Sequence, residues 1–167
     1  TNEAFFQENG LTKETALTLF IPNTYEFYWN TSASKIASKM AKEHKKFWTN
    51  ERLEKAKALN MTPAQVYTLA SIVHKETVKA DERPRVAGAY LNRINQDMPL
   101  QADPTVIYAI KEKSGDFDQV IKRVGGSNLF VSSPYNTYIN KGLPPGPIAM
   151  PDISAIDAVL NAEKHDY

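Results

Sequence analysis

The chain contains no cysteine, which excludes a disulfide scaffold, a zinc site built on thiolates and a cysteine nucleophile. Its three histidines, His44, His74 and His165, are scattered with no second ligand at metal spacing, so the sequence suggests no metal. No stretch approaches the roughly 18 apolar residues that a membrane-crossing helix needs. Thr1 to Gly10 also lacks the basic and apolar segments of a signal peptide. Neither sign of charge dominates. Twenty Lys and Arg against nineteen Asp and Glu leave a net +1, a balance that argues against a dedicated nucleic-acid or anionic-membrane binder. Gly125-Gly126 is followed by no Gly-Lys-Ser/Thr and forms no phosphate loop, and no serine elbow is present.

What remains is a globular composition: 42% hydrophobic and 23% charged residues exclude wholesale disorder. A chain of 167 residues suits one domain with a real core. The aromatic run from Phe20 to Trp29, broken by Pro22-Asn23, reads as two short extended pieces around a turn. Ser32 or Ser34 is placed to cap a helix running to about Trp48, and a second helix is expected over about 50–59. Lys45-Lys46 and nearby charges read as a solvated helix face. Thr62-Pro63-Ala64-Gln65 reads as a capping box with proline at the first helical position. Val66, Leu69, Ala70 and Val73 then form an apolar stripe that Glu76 continues. The next helix starts near 81–84, with Ala87, Tyr90, Leu91 and Ile94 inward and Arg93 at the border of that face. Asp103 is placed to cap a helix opened by Pro104, and Asp152 or Ser154 to cap a last one through about Glu163. Between them the Pro- and Gly-rich stretch around 132–148 must be a structured loop.

Glu76 is the sharpest chemical signal. A carboxyl group that continues an apolar stripe loses hydration, which favours the protonated form a general acid needs; a helix that ends first leaves it solvated between Lys75 and Lys79. Gln101, Asp103, Tyr135, Asn136, Thr137 and Tyr138 supply neutral hydrogen-bonding groups interleaved with aromatics. Such a mixture suits sugars, whose hydroxyls need planar partners and whose apolar faces rest on rings. For Asp103 the competing role is the helix cap, and for 135–138 a turn with packed aromatics.

Four strings in order carry a resemblance: Leu69-Ala70-Ser71-Ile72-Val73-His74-Lys75-Glu76-Thr77, Leu91-Asn92-Arg93, Leu100-Gln101-Ala102-Asp103-Pro104-Thr105-Val106-Ile107-Tyr108, and Ser133-Pro134-Tyr135-Asn136-Thr137-Tyr138 with Gly142-Leu143-Pro144-Pro145-Gly146-Pro147-Ile148. Over about 20–167 the chain resembles the YceG-like family of endolytic murein transglycosylases. The resemblance implies a single lysozyme-like domain of the α+β class, helix-rich, with short strands and the Pro/Gly-rich loop. It implies cleavage inside peptidoglycan glycan strands, between N-acetylmuramic acid and N-acetylglucosamine, leaving 1,6-anhydro ends without any cofactor. The family's catalytic glutamate maps to Glu76, and His74 stands where many relatives have a second glutamate. Gln101, Asp103, Tyr135, Asn136, Thr137 and Tyr138 become expected substrate contacts, with His74 and Arg93 behind them. The alternative is a noncatalytic glycan-binding or scaffolding domain that serves wall-synthesis enzymes. The resemblance further implies a bacterial inner-membrane protein with its catalytic domain on the periplasmic or extracytoplasmic side, and wall synthases as partners. The chain is then expected to be a partial catalytic domain, lacking a membrane helix and a lysin-motif-like domain before it and strands and a helix after it.

Overall fold

A computed structural model of the chain describes residues 3–165. A short helix α1 (Glu3–Glu8) and a 3₁₀ turn (Ala16–Leu19) lead into an irregular segment over 20–31, bent at 22–23 and turning at 29–30. Then come α2 (Ala33–Phe47), α3 (Asn50–Ala58), α4 (Pro63–Glu76), α5 (Arg83–Asn95), α6 (Asp103–Ser114), a 3₁₀ turn (Gly126–Phe130) and α7 (Ile153–Leu160).

The helix-rich expectation holds, whereas the short strands expected with it do not appear among the described residues. The aromatic stretch at 20–31 has no partner for a backbone ladder, and a lone segment makes no sheet. It is tacked down instead by hydroxyls: Tyr67 donates to the Phe20 carbonyl at 2.8 Å and Tyr25 to the Ile21 carbonyl at 2.7 Å.

At the centre lies α4. Its capping box closes as the sequence indicates, with Thr62 Oγ1 accepting from the Gln65 amide and Gln65 Oε1 from the Thr62 amide. A single apolar stripe is expected there, but all eight residues from Val66 to Val73 are buried. A helix buried all round is a core helix, and α5, α6, α7 and α3 pack around it. Its small polar residues are satisfied locally: Thr68 donates to the Ala64 carbonyl, and Ser71 donates to that of Thr68 while accepting from the Ile148 amide. That last bond seats the Pro/Gly-rich loop on the core helix. No helix among the described residues is long and apolar enough to cross a membrane.

Two expected caps differ. Ala102, not Asp103, precedes α6, so Asp103 is its first helical residue and its carboxylate is free for another partner. Asp152 does precede α7, but its side chain makes no cap bond because it pairs with Arg83 at 3.1 Å. The α7 helix stops at Leu160 rather than near Glu163, and the chain turns back over α5. Gly88 makes that return possible, since a Cβ there would strike the Glu163 carbonyl.

Candidate functional site

Glu76 is the last residue of α4, where the helix emerges from the core. It is exposed, which corrects the expectation of a carboxyl group dehydrated by its own apolar stripe. The stripe ends with buried Val73, and one more turn carries the side chain to the surface. It is nevertheless held. The Tyr90 hydroxyl donates to Glu76 Oε2 at 3.1 Å, from a ring that is 9% exposed and part of the main core.

Tyr90 brings Arg93 with it, because residues three apart share a helix face. Arg93 Nη1 donates to the Pro99 carbonyl at 3.0 Å and to Gln101 Oε1 at 3.2 Å. Gln101 has φ = 53°, in the left-handed region that residues with side chains seldom occupy. Such a conformation costs on the order of 1–3 kcal/mol and persists only when its surroundings enforce it. Here its amide donates to the Thr137 carbonyl at 3.1 Å, and the following Ala102 amide donates to Thr137 Oγ1 at 3.1 Å. Thr137 is buried and shares a 2.8 Å hydroxyl–hydroxyl bond with Thr105 of α6. It is a latch behind the site, holding the 101–103 turn to the 135–138 loop.

Beside it, the Tyr138 hydroxyl donates to Asp103 Oδ1 at 2.6 Å. That bond comes first in raising the phenol to about 12, followed by burial and the negative charges of Asp103 and Glu76. Burial also drives the Tyr90 phenol upward, with Glu76 next, Asp103 adding and Arg93 opposing. The two phenols thus feel the same carboxylates and the same guanidinium. Glu76, Tyr90, Arg93, Asp103 and Tyr138 form one electrostatic neighbourhood, with Gln101 tied to it through Arg93.

The other expected contacts lie elsewhere. Asn136 is wholly buried, its Nδ2 donating to the Leu129 and Val131 carbonyls and its Oδ1 accepting from the Tyr138 amide. It shapes the loop from inside and has nothing left to offer a ligand face. Tyr135 packs its ring on Tyr108 at 4.7 Å, and burial first, then Tyr108, raises its hydroxyl to about 12. His74, two residues before Glu76, turns toward the start of α7. Its Nδ1 lies 3.3 Å from Arg83 Nη2 and 3.4 Å from the Asp152 amide, both of them donors. A ring nitrogen accepting from donors carries no proton, and burial, reinforced by Arg83 and Lys75 and opposed by Asp152, lowers this imidazole's pKa. The 3.3 Å approach of Nδ1 to Asp152 is therefore not an ion pair of the neutral ring. His74 braces α4 against α7 and is not part of the Glu76 cluster.

Tyr90 was missed as a site residue because its spacing marks only an inward position. The available signal was its chemistry: a tyrosine on a core face must find a partner for its hydroxyl. Among the described residues no group of three or more His, Asp or Glu side chains could hold a metal ion.

Compared with known proteins, the chain matches the model of the YceG-like family over residues 2–167. An endolytic murein transglycosylase of Bacillus subtilis is 35% identical over 147 residues, which is 87% of this chain and 39% of that protein. One of Streptococcus pneumoniae is 39% identical over 110 residues, 66% of this chain and 20% of its own length. The crystal structure of a YceG-like protein from Listeria monocytogenes superimposes with a TM-score of 0.74 at 35% identity, covering 90% of this chain and 47% of that one. The chain thus spans less than half the length of each of these relatives.

Proposed function

This chain belongs to the YceG-like family, and on that footing we propose that it is the glycan-cutting part of a murein transglycosylase that acts within peptidoglycan strands. One observation carries the reading: a glutamate fixed by a tyrosine hydroxyl at the mouth of a surface whose other groups, Arg93–Gln101 and Asp103–Tyr138, are paired hydrogen-bonding side chains suited to sugar hydroxyls. The relatives' shared name, endolytic murein transglycosylase, supports the substrate class.

A lytic cleavage needs one carboxyl group, whereas most glycosidases need a flanking pair. Glu76 donates its proton to the glycosidic oxygen as the bond to C-1 of the muramic residue breaks. The C-6 hydroxyl of the same sugar attacks C-1, and Glu76 takes up that hydroxyl's proton. The carboxyl group returns to its starting state, a 1,6-anhydro end forms, and no water is consumed. Because the nucleophile is intramolecular, the protein's task is to hold the sugar's pose. Tyr90 occupies Oε2, which leaves Oε1 to face the strand. A saccharide laid over Asp103–Tyr138 and Arg93–Gln101 covers the exposed carboxyl and excludes water from it. The substrate's place outside the cytoplasmic membrane puts the domain on the extracytoplasmic side, where wall synthases are its natural partners.

Exposure of Glu76 favours the second reading, a noncatalytic glycan-binding or scaffolding domain. One experiment separates them. Purified strands are incubated with a chain extended to the length of its relatives, and the products are weighed by mass spectrometry. Anhydro ends are expected, and Glu76→Gln should lower turnover by at least about a hundredfold. Reducing ends would mean hydrolysis, equal activity of the variant would remove Glu76 from the chemistry, and binding without turnover would establish the scaffold.

A further inference from the structure

The chain's near-neutral total conceals a segregation of charge. Between Ser32 and Phe47 lie five lysines and one glutamate. Four of them, Lys35, Lys39, Lys42 and Lys46, are spaced by four, three and four residues, which places them in one stripe down α2 about 16 Å long. Opposite the stripe, Met40 is buried and Ile36 half-buried against the amino-terminal core. Lys46 is paired with Glu43, while Lys35 and Lys42 are solvent-exposed. Ser34 and Ser38 add hydroxyls to the same open helix face, and Glu43 is the one acid on it.

Just ahead of α2 in the chain stands an aromatic run. Trp29 is 97% and Tyr28 86% exposed, far beyond what large aromatic side chains usually show in a folded chain. Lys39 joins the two features, with its ammonium 4.7 Å over the Phe27 ring and donating to the Glu26 carbonyl at 3.0 Å. Rings that can rest on sugar faces, beside hydroxyls and a row of cations on one helix face, are the chemistry of an acidic glycan.

We propose that α2 and the Phe27–Trp29 segment form a second docking surface, outside the Glu76 cluster, for a glycan strand bearing carboxylates, with the rings on the sugars and the lysines on the acids. It rests on the functional reading for the kind of strand but not for the chemistry at Glu76. The test measures binding of the Glu76→Gln protein to peptidoglycan strands that carry peptide stems, to neutral chitooligosaccharides and to phosphatidylglycerol vesicles. Acidic strands should bind most tightly and weaken steeply with salt. Lys35→Glu with Lys42→Glu should weaken that binding about tenfold, and Trp29→Ala should weaken both glycans. In the otherwise unaltered protein, the lysine changes should leave turnover of short fragments unchanged while slowing that of long strands. Equal affinity for the neutral glycan, tighter binding to vesicles, or lysine variants that bind strands normally would each overturn the proposal. Loss of turnover in Glu76→Gln with strand binding intact would bear on the Glu76 reading alone.

Discussion

Replacing Tyr90 by phenylalanine removes one hydroxyl and little else, because the ring keeps its place in the core. The Glu76 carboxyl then loses the donor that fixes its orientation. We expect kcat to fall about tenfold with KM nearly unchanged, the signature of an interaction that matters chiefly in the transition state; equal kcat for the two proteins would show that the hydroxyl merely fills space. Helical arithmetic from Leu69 and Val73 singles out Glu76 in the sequence but continues the buried stripe through it, whereas the side chain emerges at the surface. Such arithmetic could not rank the residues around Glu76. Asn136 and Tyr138 are two residues apart and equally suited to sugars on paper, yet one is sealed inside the loop and the other faces Asp103. Which member of an irregular loop points inward is decided by tertiary packing, and no periodicity announces it.

Among the elements, those with local determinants were readable. The capping box at Thr62 and the serine cap at Ser32 each satisfy helix-end groups through residues adjacent in sequence. The apparent strands were not, because a strand exists only through its partner. The early end of α7 was also hidden: the tail that would continue it folds back to bond α5, with the Glu163 backbone amide on the Pro84 carbonyl at 3.0 Å and the Asn92 side-chain Nδ2 on the His165 carbonyl at 2.7 Å. Gly88→Ala tests this packing, since the added methyl meets backbone that must move. A loss of about 1–3 kcal/mol is expected from denaturant unfolding, and an unchanged midpoint would mean that the tail does not rest there in solution.

Over the whole molecule, stability should respond to pH through two imidazoles. Burial lowers the pKa of His44 beside Trp48, and burial with Arg83 and Lys75 lowers that of His74. The unfolded chain, whose histidines titrate near 6.5, then takes up protons before the folded one does. Their contribution is fully present above that value and is lost as pH falls through and below it. Thermal midpoints compared at about pH 7.5 and about pH 5.5 should therefore drop on acidification, and His44→Gln should shrink the difference. A difference untouched by His44→Gln and by His74→Gln would assign the effect to carboxylates instead.

The returning tail has a practical consequence. Arg85, Gly88 and Asn92, which receive it, occupy one side of α5, while Tyr90 and Arg93 project from the other. A fluorophore or surface tether attached to exposed Lys164 in that tail would sit behind the carboxylate face. The protein could be immobilised by that handle with the Glu76 side left open to long polymers.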